Sequence, residues 1–200
     1  MPKHSREQAA TGTRRQAILD AALQVFTAKG LMAATMDDIR AQSGASTGSI
    51  YHHFAGKEDL IAALYAEAYQ DLHREMRAAF DAAASVADGV RALVEHYLGW
   101  FERHERLGRF LLQAAGSEYV AASLPAMQRE VGEFEGLVLA WLEPAIAAGA
   151  VARLPQSMYV PLIVGPCREI IRRWEAGRAS LAEIRQPLAE AVWRSLSGRE

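Results

Sequence analysis

Apolar residues recur every three to four positions along most of this chain, and the period-two alternation of half-buried strands is missing. That spacing predicts helices. From Thr13, the residues Ile18, Ala22, Val25 and Phe26 mark the buried face of a first helix, which Gly30 ends by accepting the left-handed cap conformation. Thr35-Met-Asp-Asp38 opens a second helix: threonine is the N-cap, with an acid three residues on and two carboxylates at the positive end of the dipole. Met36 and Ile39 face inward, the helix closes near Ser43, and Gly44 makes a turn. Ser46 caps a third helix of about two turns, anchored by Ile50 and Phe54. Gly56 and Lys57 open a long helix to about Ala83, with Leu60, Leu64, Ala68 and Leu72 along one side.

The remainder continues in the same period. Ser85 to Asp88 is a capping-box start leading through Val90, Leu93, Tyr97 and Phe101, and a shorter segment runs from Arg106 to Ala115. Pro125 suits the first turn of a helix through Phe134, Leu137 and Trp141, bent at Pro144 and stopped by Gly149. Segments Gln156 to Ala176 and Ser180 to Leu196 form a last pair, with Gly177 as a stop and Ser180 to Glu183 as a capping box. The fold class is all-α, with about nine helices.

Composition narrows the function only by exclusion. Half the residues are hydrophobic and 23% are charged, as in ordinary globular proteins. The net charge of −2 gives no overall field for nucleic acid, so any such affinity rests on local placement. The single cysteine, Cys167, excludes an intramolecular disulfide and a multi-cysteine zinc site. No apolar run is long enough to span a bilayer, and the first residues lack the apolar core of a signal peptide. A cytoplasmic protein with no membrane partner is the expectation.

The stretch Thr35 to Leu60 carries the chemistry. Two short helices about a glycine turn are a helix-turn-helix, a motif that lays its second helix in the major groove of DNA. Thr35 and Ser46 stand at helix N-termini, where free N–H groups favour a phosphate, although they would cap these helices with or without DNA. Thr47 and Ser49 can hydrogen-bond base edges or phosphates, and Gly48 permits close backbone approach. Tyr51 and His52 suit phosphate contacts at the groove edge, and Lys57 offers a point charge. His52 and His53, adjacent on a helix, point about 100° apart and make a poor metal pair. No catalytic, metal or cofactor site is expected.

Residues Thr13 to about Ala66, with TGSIYHHFAGKEDL in register, resemble the N-terminal domain of the tetracycline-repressor (TetR) family of bacterial regulators. The resemblance implies DNA contacts at Thr35, Thr47, Gly48, Tyr51, His52 and Lys57. Residues 1–12, polar and small, are expected as a flexible arm, and the resemblance implies a DNA-binding domain over 13–60 and a helical effector-binding and dimerisation domain over 61–200. Many members have lysine where this chain has Thr47, so bidentate reading of guanine is not expected from that position. Specificity then leans on the N-terminal arm, DNA shape and two half-sites read together.

Behind that unit lies a store of aromatic and histidine side chains. Tyr65, Tyr69, His96, Trp100, His104, Phe110, Tyr119, Phe134 and Trp141 are the candidate lining of an effector pocket, with His96, Trp100 and His104 sharing a helix face. The resemblance implies a homodimer on double-stranded operator DNA, built from the last two helices through Leu162, Gly165, Ile170, Leu188, Val192 and Leu196. The expected function is a repressor released by a small, mostly apolar molecule. An enzyme is not expected: Cys167 has no histidine near it in sequence, and Glu130, Glu133 and Glu135 lie beside Arg129 on what reads as a solvated face. The alternative is a helical small-molecule carrier or interaction protein without operator binding.

Overall fold

The computed structural model describes the backbone of residues 3–115 and 124–197, and the side chains of residues 12–115 and 131–197. Within those residues it is all-α. The helices are α1 (Lys3–Lys29), α2 (Met36–Ser43), α3 (Thr47–His53), α4 (Lys57–Asp81) and α5 (Val86–Arg103). They continue as α6 (Glu105–Ala115), α7 (Leu124–Ala147), α8 (Gln156–Glu175) and α9 (Leu181–Leu196). The first helix differs from expectation. It begins at Lys3 rather than Thr13, so residues 3–12, expected as a flexible arm, are helical. Between Pro2 and Gly12 the sequence holds Arg6, Glu7, Gln8, Ala9 and Ala10, all good helix formers, and nothing there stops a helix growing backward from Thr13.

Two compact units divide the chain: Met1–Ala68 with Arg109–Leu124, and Tyr69–Gly108 with Pro125–Glu200. Their boundaries fall inside α4 and inside α6. In the first unit Ile18, Leu19, Ala22, Phe26, Ile39, Ile50, Phe54, Leu60, Ile61 and Leu64 are buried, joining α1 through α4 in one core. Phe110 enters the same core and stacks on Phe26 with ring centroids 6.0 Å apart. Burial of side chains of this size stabilises by about 1.5–3 kcal/mol each.

In the second unit α5 is the central helix, with Val90, Leu93, Val94, Tyr97, Leu98, Trp100 and Phe101 all buried. It packs against α8 and α9. Gly89 marks a close approach, since a Cβ there would lie 2.2 Å from the Trp141 ring. Ion pairs tie the outer edges of α5 and α9: Arg91 Nε to Glu190 Oε2 at 2.6 Å, and Arg185 to Glu102. The expected Ser180 capping box does not form, for Ser180 is the N-cap of α9 without a side-chain hydrogen bond. Leu137 is 38% exposed.

Candidate functional site

Local chemistry fixes the helix-turn-helix. Thr35 Oγ1 accepts from the Asp38 N–H at 3.2 Å while Asp38 Oδ2 accepts from the Thr35 N–H at 3.1 Å, a complete capping box. Lys29 Nζ donates to Asp38 Oδ1 at 2.6 Å. That hydrogen bond, then those from Thr35, lower the Asp38 carboxyl to about 2. Gly44 ends α2 in the left-handed region at φ 62°, its N–H reaching the Arg40 carbonyl; other residues adopt that backbone only with strain. Ser46 Oγ accepts from the Ser49 N–H at 3.2 Å and starts α3.

With both ends held and Ile50 and Phe54 sunk in the core, α3 presents its other side to solvent. Thr47, Gly48, Tyr51 and His52 are exposed, and Ser49 is half-buried. Tyr51 is 53% exposed, against 2% for Ile50 beside it. A Cβ built on Gly48 meets nothing within 4 Å, so the fold itself leaves room for a side chain at this position. The first-turn N–H groups that Ser46 does not cap lack helical acceptors, an arrangement suited to a phosphate.

Lys57, expected at a phosphate, is engaged within the chain in the absence of DNA. Its Nζ donates to the carbonyls of Leu31 at 3.0 Å, Met32 at 3.3 Å and Ala34 at 3.1 Å. In this geometry the ammonium braces the loop between α1 and α2, whose carbonyls follow the end of α1 and lack helical partners. Arg15 pairs with Glu67 and lies 5.3 Å from the Phe54 ring centroid.

The second unit holds a cavity of about 30 Å³, lined by Tyr69, His73, Met76, Tyr97, Val131, Phe134, Glu135, Val160, Val164 and Arg168. A water needs roughly 10–15 Å³ of such space, so it has room for about two or three waters as it stands. His73 stacks flat on Phe134 at 4.3 Å and meets Tyr69 edge-on at 5.3 Å. Its Nδ1 is buried without a hydrogen-bond partner. Burial, then the Arg168 charge, lowers this imidazole to about 4, which keeps it neutral. Burial also raises the Tyr97 hydroxyl, holding it protonated. The site therefore combines an apolar wall with hydroxyls, a neutral imidazole and a guanidinium.

Of the expected lining, Tyr69 and Phe134 line this cavity. Tyr65 and Phe110 are buried in the first unit. Trp100 is fully buried with its Nε1 donating to Asp71 Oδ2 at 2.8 Å, while His96 is exposed. Along the face shared by His96, Trp100 and His104, the first is exposed, the second buried and the third half-buried. Trp141 packs against Phe80 at 5.2 Å and fills the gap at Gly89. Tyr119 lies outside the described residues. Sequence reading missed Val160, Val164 and Arg168, which α8 brings beside α4 and α5.

On the expected dimer face, Leu162, Ile170 and Leu188 are half-buried and Gly165 is exposed. Val192 and Leu196 are 3% and 0% exposed within one chain. These two serve the monomer core, since they lie on the side of α9 that packs against α5 and α8. Cys167 is fully buried and its thiol is pushed up to about 12 by burial, which makes it an inert packing residue.

Comparison with known proteins agrees with this geometry. Residues 18–64 match the model of the bacterial regulatory proteins of the tetR family. Over 52 residues the chain is 46% identical to the HTH-type transcriptional regulator SrpR of Pseudomonas putida, a match covering 26% of this chain and 24% of that protein. Over 92 residues it is 32% identical to the HTH-type transcriptional repressor KstR2 of Mycobacterium tuberculosis, 46% of each chain. The matches thus span about a quarter to a half of the length of these relatives. The whole architecture is similar to that of the fatty acid degradation regulator FadR from Bacillus halodurans, at a TM-score of 0.80 and 20% identity, over 93% of this chain and 97% of that one. Helix-turn-helix and matched segment agree: over residues 18–64 the chain is similar to the bacterial regulatory proteins of the tetR family.

Proposed function

We propose that this chain is a ligand-responsive transcriptional regulator, a cytoplasmic homodimer that represses by binding a pseudo-palindromic operator. The observation that carries this reading is the surface of α3. Thr47, Gly48, Ser49, Tyr51 and His52 stand on a helix held at both ends and anchored beneath, so they meet DNA without an ordering cost. Thr35 and Ser46 add helix N-termini that favour phosphate. A single unit of this size reads few bases, which argues for two copies on a two-fold site. Leu162, Gly165, Ile170 and Leu188 supply an apolar, partly uncovered surface for that pairing.

The His73 cavity is the seat of the effector in this reading. A small, mostly apolar molecule entering it must open it, since about 30 Å³ is far below the volume of a ligand pocket. Opening displaces Tyr69, His73 and Met76, which lie on α4, the same helix that begins at Lys57. A coupling of roughly 1–3 kcal/mol carried this way lowers operator affinity about 5–150-fold.

Fluorescence anisotropy with fragments of the region upstream of its own gene tests the DNA half. Binding should weaken steeply with salt, because phosphate contacts release counterions. A folded dimer that shifts no fragment at low salt would leave the carrier reading in place. Operator affinity with and without a compound that raises the melting temperature tests the second half; equal affinities would sink it.

A further inference from the structure

We propose that Asp71, Glu75 and His104 form a divalent-cation site in the second unit. The sequence reading expects no metal, and the reason is spacing: two of these residues lie on α4 and the third ends α5. Asp71 and Glu75 are one helical turn apart and so share a face. His104 is the C-cap of α5, fixed by its N–H to the Trp100 carbonyl at 2.8 Å. One ligand atom from each of the three residues can be chosen so that all lie within 4.8 Å of one another.

The distances suit a shared ion better than direct hydrogen bonds. His104 Nε2 lies 3.9 Å from Glu75 Oε1 and 4.0 Å from Asp71 Oδ2. Both exceed hydrogen-bond length. Metal bonds of about 2.0–2.2 Å place two ligands of one ion roughly 3–4 Å apart, so small side-chain rotations close the site.

Three neighbours prepare it. Trp100, fully buried, donates Nε1–H to Asp71 Oδ2 at 2.8 Å and stacks against His104 with centroids 5.0 Å apart. One rigid indole thus orients two of the three donors, as outer-shell groups do around metals. Arg74 pairs with Asp71 Oδ1 and Arg103 with Glu75 Oε2, the outer oxygens. Oδ2 and Oε1 are left facing the imidazole. Burial raises the Asp71 carboxyl, but the Trp100 hydrogen bond and Arg74 outweigh it and keep the group ionised. One imidazole with two carboxylates suits zinc, cobalt(II), nickel or manganese rather than calcium or magnesium, with solvent completing the shell. The two arginines already neutralise the carboxylates, so affinity is moderate.

The full chain, stripped with chelator, is titrated with zinc by calorimetry and with cobalt(II) by visible absorption. One equivalent per chain should bind. His104→Ala and Glu75→Gln should each weaken binding by at least about tenfold, the scale of metal-site defects. Arg103→Gln should tighten it by removing a competing cation, a gain that no unfolded variant gives. Absence of a one-equivalent site, unchanged affinity in His104→Ala, or loss on His52→Ala/His53→Ala instead would each overturn the assignment.

Discussion

The reading face of α3 and the cavity around His73 are built on opposite plans. Around α3 the helix caps are local: Thr35 with Asp38, Ser46 with Ser49, Gly44 with Arg40. Polar groups there stand outside, and the core beneath is purely apolar. Around the cavity the polar groups are partly buried, and they come from α4, α5, α7 and α8. A surface that must meet a partner unchanged is assembled from short-range caps. A site that must respond is assembled from distant helices, and it carries an imidazole nitrogen with no partner of its own. The lesson is that rigidity and responsiveness are set by how far apart in sequence the contacting residues lie.

The sharpest test of that contrast is pH. In the folded state His73 is lowered to about 4, below its ordinary 6.5, so the unfolded chain takes a proton first. Its contribution is fully present above about pH 6.5 and is lost as pH falls toward 4. His73→Phe keeps the stack on Phe134 and removes the titration. Urea unfolding should show the wild type losing about 2 kcal/mol more than the variant between pH 7 and pH 5. Equal losses would mean that the imidazole already titrates as in water.

Lys57→Met comes next in size. If the ammonium braces three carbonyls, its loss should lower stability by about 1–2 kcal/mol with no DNA present. Thermal unfolding of the free protein checks this. A variant as stable as the parent but deficient in DNA binding would restore the direct phosphate contact.

Gly48→Ala is the smallest effect and the most discriminating. Open space around this position and the higher helix propensity of alanine predict stability unchanged or raised by up to about 1 kcal/mol. Operator affinity should nevertheless fall, since the methyl group stands where the backbone meets DNA. Unchanged affinity in an anisotropy titration would remove Gly48 from the reading face.

The same contrast explains what could be read from the sequence. Gly30, Thr35, Gly44 and Ser46 announce their helices because capping is a matter of three or four neighbouring residues. The helical period located the later helices within a few residues. It did not tell which aromatic faces which neighbour: Trp100 and His104 proved to stack beside Asp71, and Phe110 on Phe26. Nor did it separate Val192 and Leu196 from Leu188, because an amphipathic helix shows the same period whichever partner covers it. The bracing by Lys57 was hidden for a related reason, as the carbonyls it meets come from a loop some 25 residues earlier.

The seven residues of α3 also set a limit that can be stated as information. At 1.5 Å per residue the helix is roughly 10 Å long, about the rise of three base pairs. Hydroxyls and one phenol distinguish bases less sharply than a bidentate arginine. Three fully resolved base pairs specify one sequence in about 64, and two such half-sites one in about 4,000. A genome of about a million or more positions would then offer hundreds of matches by direct reading alone. A chain built this way finds a unique address only if the spacing of its half-sites and the stiffness of the DNA between them carry part of the message.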